Sequence, residues 1–237
     1  MVERERPVGP IVPFNGAQLP NLRPLQGDFV HLEALDAARH GPDLWAHMKA
    51  YPFLWDYLFE ESPKTEIEFL ELISEACAKA DWKGYAICLP GGGAVGYAHY
   101  LNIMPAMGSI EVGNINFSPA LQRSPAASEA MYLMMREAFT LGYRRYEWKC
   151  NALNMPSRRA AQRLGFSWEG IFRQHMMVKS RNRDTAWFAM TDQDWPALKV
   201  AFQTWLSAGN FNDDGAQKQS LRALTSDARV AGDPAQE

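Results

Sequence analysis

The chain has 237 residues, 47% hydrophobic and 22% charged, with a formal net charge of −3. This length allows a sizeable core in one large domain or two small ones, and the near-neutral balance gives no reason to expect a nucleic-acid or membrane partner. No stretch approaches the roughly 18 apolar residues of a membrane span, and the N-terminus MVERERPVGPIVPF has mixed charges and no apolar run, so no signal peptide is expected.

Residues 1–24 carry Pro7, Pro10, Pro13, Pro20 and Pro24. Such a segment runs extended, as a strap over the surface. Phe29–Leu35 alternates and predicts a first strand. A helical pattern covers Gly41–Tyr51. Pro52–Glu60 reads as an aromatic turn, and Lys64–Ala80 as an amphipathic helix with Ile67, Leu70 and Cys77 on one side. Three β segments follow, Lys83–Leu89, Ala94–Ile103 and Ser109–Phe117, the first closed by a Pro-Gly-Gly-Gly turn.

Next comes LQRSPAASEAMYLMMREAFTLGY. Ser124 suits an N-cap and Pro125 the first helical position, and Gly142 falls where a helix ends on a left-handed glycine. Arg145–Asn151 predicts a strand and Met155–Leu164 a short helix. Gly170–Lys179 and Thr185–Met190 flank SRNRD as a long hairpin, and Trp195–Leu206 is a last helix. Residues 207–237 are small and polar and are expected to be a disordered tail. The order is that of a mixed α/β domain on one meandering sheet, not a doubly wound fold.

Cys77, Cys88 and Cys150 are far apart without metal spacing, which suits reduced thiols in a cytoplasmic protein and no metal site. Charge is uneven. Residues 56–75 hold seven acids against Lys64, and residues 143–183 hold ten bases against Glu147 and Glu169. Both can be solvated faces. Alternatively, an acidic lip attracts a cationic substrate and a basic half attracts a polyanion.

A helix start placed directly after a strand leaves unpaired N–H groups and a partial positive charge, an anion site. Simple capping by Ser124 is the plainer reading. Three segments in order bear on the choice: SIEVGNINFSP with LQRSPAASEA, NALNMPSRRAAQRLGF, and WEGIFRQHMMVKSRNRDTAWFAM. Together they resemble the GNAT acetyltransferase superfamily, and within it the RimJ/RimL-like protein N-acetyltransferases, over roughly residues 25–195. The resemblance implies a single GNAT-like domain over 25–206, with a central, mostly antiparallel sheet of about seven strands flanked by helices. It implies an acetyl-CoA-dependent N-acetyltransferase acting on a primary amine, either a protein N-terminal α-amine or a small molecule. Pro125 replaces the usual central glycine of the pyrophosphate loop and supplies no N–H.

By that resemblance, acetyl-CoA lies against Ile115, Asn116 and Phe117, with its pyrophosphate on Gln122, Arg123, Ser124, Ala126, Ala127 and Ser128. Asn154 and Ser157 sit near the thiol end; Asn154 is equally a helix cap. Amine acetylation needs a proton acceptor, an oxyanion donor and a proton for the leaving thiolate. Glu111 is the candidate base, sharing a face with Gly113, Ile115 and Phe117 if strand alternation holds; otherwise it is an exposed strand glutamate or an arginine's partner. His99 is the rival base or an acceptor contact, or a packed core histidine. The helix 155–164 has no Tyr to act as general acid, leaving Ser157 or water. Trp55 and Tyr57 either wall the acceptor pocket or pack in the core. The late hairpin is a candidate dimer edge, so a homodimer is one expectation. The other functional class is a GNAT-fold module that binds CoA or a protein without turnover. An RNA-binding protein fits poorly, because no aromatic–basic recognition motif accompanies the bases.

Overall fold

A computed structural model describes residues 8–236. The first seven residues of the Pro-rich strap lie outside the described residues. Residues 8–24 run without regular structure, held by Ala17 N–H to the Pro105 carbonyl (3.0 Å) and Gln18 N–H to the Leu141 carbonyl (2.8 Å). Eight strands follow: β1 (Leu25–Gln26), β2 (His31–Ala34), β3 (Lys83–Cys88), β4 (Ala94–Met104), β5 (Ser109–Phe117), β6 (Arg145–Asn151), β7 (Ser167–Val178) and β8 (Arg181–Thr191). They form one sheet in the order β1-β2-β3-β4-β5-β6-β8-β7, antiparallel throughout except for the parallel pair β5–β6. The strand beyond the expected seven is the two-residue β1. The helices are α1 (Ala37–Met48), α2 (Glu66–Ala78), α3 (Pro125–Thr140), α4 (Met155–Arg163), α5 (Trp195–Leu206) and α6 (Leu221–Thr225).

Local chemistry explains most boundaries. Asp36 caps α1 by accepting from the Arg39 amide, so α1 starts four residues before the Gly41 expected from periodicity alone. Thr65 and Ser124 cap α2 and α3 in the same way. Gly142, at φ 91°, stands just past α3 in the left-handed conformation expected of it.

Two expectations are corrected. The hairpin turn is not SRNRD. It is the pair Lys179–Ser180, both at positive φ (50° and 58°), a tight turn that lets β8 begin at Arg181. Polar composition masked a strand whose two arginines, Arg181 and Arg183, share one face. Nor is the segment after Leu206 a disordered tail. Leu221 and Thr225 are buried, and Asp233 is fully buried against Arg158 of α4. Arg158 donates from Nε to Asp233 Oδ2 (2.7 Å) and from Nη1 to the Ala152 carbonyl (2.9 Å), with its guanidinium over the Trp168 ring. A few apolar and charged anchors in a small, polar sequence suffice when their partners are prepared elsewhere in the chain.

The sheet separates two cores. The larger holds α3, α4, α5 and α6 with Tyr100, Ile110, Val112, Tyr146 and Phe188. The smaller packs α1, α2 and Trp55 against Tyr97, Ala86 and Cys88 on the opposite face.

Candidate active site

The parallel pairing of β5 with β6 ends at Val112↔Trp148, yet β5 continues to Phe117 and β6 to Asn151. The two strands therefore part beyond Val112. On the β6 side, the backbone of residues 113–117 has no strand partner. α3 starts at Pro125, eight residues after β5 ends at Phe117. There Arg123 takes positive φ (58°), and among the described residues the amides of Arg123, Ser124 and Ala126 have no partner. The Ala127 amide bonds the Ser124 hydroxyl (3.2 Å), which itself donates to the Leu121 carbonyl (2.6 Å). The Gln122 side chain closes back on the Phe117 carbonyl (2.8 Å), so it braces the loop. The Ser128 hydroxyl accepts from Arg163 (2.8 Å), a guanidinium whose pKa burial lowers. Three free amides at the positive end of a 16-residue helix fit an anion such as a pyrophosphate. Pro125 stands at the first helical position, where the missing N–H costs the helix no bond.

The face of β5 is set by a bulge. Tyr97 pairs with Asn116 and His99 with Gly113, so Ala98 alone stands opposite Asn114 and Ile115, with Asn114 at φ 44°. Strict alternation would have put Ile115 and Phe117 with Glu111. The extra residue instead brings Asn116 to that face, where its Nδ2 donates to the Tyr97 hydroxyl (3.3 Å), while Ile115 and Phe117 pack on the larger core.

Glu111 lies one residue before the strands part, on the α1–α2 face, and is 6% exposed. Its Oε2 accepts from Asn102 (2.6 Å) and from Lys149 (2.8 Å). It is thus partnered by a lysine rather than an arginine. Oε1 is left beside Gly113, where an added Cβ would come within 3.2 Å of it. Lys149 also meets Glu147 (2.9 Å) and lies over the Trp187 ring.

His99 is fully buried between the Trp82 and Tyr97 rings. Burial pushes its pKa down to about 4, against a small opposing effect of Asn114. It is neutral at physiological pH and a weak base, which favours the packing reading.

Asn154 caps α4 by accepting from the Ser157 amide (3.1 Å), and the Ser157 hydroxyl accepts from Trp148 Nε1 (3.0 Å) at the point where β6 leaves β5. Trp55 is 2% exposed in the smaller core, so its ring packs rather than walls a pocket. Tyr57 does reach across the molecule, donating to the Leu153 carbonyl (3.3 Å) and tying the 52–59 segment to the β6–α4 loop.

Three side chains missed by sequence reading complete this face: Tyr97, Lys149 and Arg183. Strand alternation on β6 and β8 would have found the last two, had β8 been started at Arg181.

The larger surface cavity, about 330 Å³, lies behind α3 beside Gln26, Glu129 and Gln203; a second, about 260 Å³, lies beside Arg144 and Asp192. Both are away from Glu111. Among the described residues no cluster of three His, Cys, Asp or Glu could hold a metal, and no helix is long and apolar enough to cross a membrane.

Residues 21–167 match the family model described as an acetyltransferase (GNAT) domain. A GCN5-related N-acetyltransferase from Brucella melitensis is 43% identical, with a TM-score of 0.87 over 90% of this chain and 99% of that one. A probable GNAT-family acetyltransferase from Chromobacterium violaceum is 38% identical, with a TM-score of 0.77 over 81% of this chain and 98% of its own. RimL, a ribosomal α-N-protein acetyltransferase solved in complex with coenzyme A, shares the fold at 20% identity and a TM-score of 0.60, over 71% of this chain and 98% of that one. Curated proteins gave no match. The strand parting, the helix start beside it and these likenesses together mean that the chain belongs to the GNAT acetyltransferase family and is a GNAT-family N-acetyltransferase.

Proposed function

We propose that this chain moves an acetyl group from acetyl-CoA to a primary amine, a protein N-terminal α-amine or a small-molecule amine, by direct attack. The observation that carries the reading is the placement of Glu111 at the parting of β5 and β6, with free amides at the start of α3 beyond it. The amides of Arg123, Ser124 and Ala126 hold the pyrophosphate. The unpartnered backbone of 113–117 takes the amide arm as an added strand would, and it offers an N–H near Asn116 or Phe117 to the oxyanion. The cosubstrate supplies the activated acyl group.

The acceptor enters from the α1–α2 face. Glu111 Oε1, directly or through a water, takes the ammonium proton. Lys149 and Asn102 fix the carboxylate through its other oxygen, which keeps Oε1 aimed past Gly113. Ser157 has its oxygen occupied as an acceptor but keeps a hydrogen to donate, so it or water protonates the departing thiolate.

Calorimetric titration with acetyl-CoA tests the cofactor half. Micromolar-range binding, about −8 kcal/mol, is expected, weakened about tenfold by Arg123→Glu, which sets a carboxylate where the phosphates lie. Unchanged affinity in that variant would move the pyrophosphate elsewhere. Thiol release with a panel of amines then reads transfer itself. Acetyl-CoA binding without release on any amine would identify a binding module.

A further inference from the structure

Among the described residues, the buried and half-buried charged side chains of β5, β6 and β8 on the acceptor face have, with one exception, a partner of opposite sign. Glu111 and Glu147 share Lys149, and Arg145 pairs with Glu147 and Glu169. Lys179 donates to the Trp55 carbonyl (2.8 Å) and approaches Glu61 at 3.9 Å. Arg183 is the exception. It is 8% exposed, yet among the described residues no carboxylate comes within 4.0 Å of it. Its Nε makes one long bond to the Thr185 hydroxyl (3.3 Å), and its guanidinium lies 4.8 Å over the Phe59 ring. Among the described residues the two terminal nitrogens, four N–H donors, have no protein partner.

The register places this cation in the acceptor path. Thr185 pairs with Asn151, Trp187 with Lys149 and Ala189 with Glu147, and Glu147 pairs with Glu111. Alternation along β8 therefore sets Arg183 on the face of Glu111, at the end of the sheet where β5 and β6 part. The 52–61 segment covers it through Phe59 and is tied down on either side by Tyr57 and Lys179. Burial pulls the Arg183 pKa down against the raising influences of Cys150 and of Glu111, a carboxylate already held by Lys149.

A buried guanidinium without a counter-ion is costly, and structures keep one where a ligand completes it. Arginine's fork suits a planar carboxylate, accepted through two parallel bonds. From this geometry we infer that Arg183 anchors a carboxylate carried by the acceptor, so that the preferred substrates are primary amines that also bear a carboxylate. This deepens the proposed transfer reaction and rests on it. The carboxylate can belong to a free amino acid or to an acidic side chain at a peptide N-terminus. The anchor reads the same group in both, with the amine turned toward Glu111 and the thioester.

The test uses the full chain, wild type and Arg183→Gln, with matched acceptors differing only in carboxylate against carboxamide. These are amino acids and their amides, and dipeptide amides beginning with Asp or Asn. Wild type should prefer the carboxylate member, and Arg183→Gln should lower kcat/KM for it by about 100-fold while changing the amide member less than about threefold. Preference among the free amino acids or among the peptides tells the two sources apart. A second readout does not need turnover. N-acetyl amino acids, the products, should bind the CoA-loaded wild type more tightly than their amides, and the difference should vanish in Arg183→Gln. Because an uncompensated charge is removed, the variant's own melting temperature should not fall.

Equal transfer to, or equal product binding by, acids and amides would overturn the anchor and leave the acetyl transfer standing. So would a melting temperature lowered by more than about 5 °C, the mark of a structural arginine. Failure of the wild type to bind acetyl-CoA would overturn the transfer reading and the anchor with it.

Discussion

The two sides of β5 are built from different materials. On the side of β6 and α3 the proposed working parts are backbone: a strand edge released where pairing stops at Val112, and three amides at a helix start. On the side of α1, α2 and the β7–β8 hairpin they are side chains: Glu111 held by Lys149 and Asn102, Arg183 under Phe59, and Tyr97 bonded to Asn116. A backbone site follows from topology and tolerates residue changes, Pro125 included. A side-chain site depends on each identity, so the acceptor half is where members of one fold diverge. Substitutions on the acceptor side should therefore cut turnover deeply, while those on the cofactor side shift affinity or stability modestly.

The largest effect is expected at Glu111. Glu111→Gln keeps the size and the hydrogen-bonding ends but removes the proton acceptor. The rate of thiol release should fall about 100-fold or more, with acetyl-CoA affinity unchanged by titration. Lys149 keeps Glu147 as a partner (2.9 Å), so the variant should stay folded, which a melting curve checks. A loss below about fivefold would hand proton removal to a water not governed by Glu111.

Next comes the brace beneath the cofactor side. Asp233→Asn leaves Arg158 buried without its carboxylate, and such a break costs about 3 kcal/mol. Chemical denaturation should show that loss, with acetyl-CoA affinity within about twofold of wild type if α4 stays in place. The pH dependence has a definite sign. Burial alone would raise the Asp233 pKa, but Arg158, the Ala235 amide and Gln236 outweigh it and hold it below the usual carboxylate range. A depressed acid contributes stability that is complete above the unfolded value, about 3.9, and is lost as pH falls through the lower folded value. The wild-type advantage over Asp233→Asn should thus be full at neutral pH and shrink only below about pH 4. An advantage already shrinking at pH 6 would mean that the pair is not buried as described.

These two cases mark what could be read in the sequence. The order of elements, the meandering sheet, the Ser124 cap, the start of α3 at Pro125 and Gly142 were legible, because each depends on local periodicity or on one special residue. The face of residues 115–117 was not, because one bulge residue at Asn114 reverses everything after it and nothing in the alternating pattern marks the insertion. The docking of 207–236 was not, because its anchor Asp233 matches an arginine 75 residues away. Arg183 was hidden by the same error that placed the turn at SRNRD: a polar run reads as a loop unless the two-residue turn before it is recognised.

His99 should be the mild case on the acceptor side. With its pKa at about 4, it carries no proton across the range where amines are acetylated. His99→Asn should change kcat less than about fivefold and leave any limb of the pH–rate profile between pH 5 and 8 in place. A limb that disappears in the variant would restore His99 as the base and make Glu111 a structural partner of Lys149.

Pro125→Ala gives the smallest effect and the sharpest contrast between the halves. The added N–H stands at the first helical position, where no intrahelical acceptor exists, so the helix gains no bond from it. It faces the place where the pyrophosphate is expected, beside the free amides of Arg123, Ser124 and Ala126. One more donor should raise acetyl-CoA affinity by about two- to threefold, roughly 0.5 kcal/mol. The same change frees the unfolded chain and should lower stability by about 0.5 kcal/mol. Titration and denaturation should therefore move in opposite directions. If affinity falls along with stability, the proline's rigidity matters more than the amide it withholds, and the cradle works by being held in shape before the phosphate arrives.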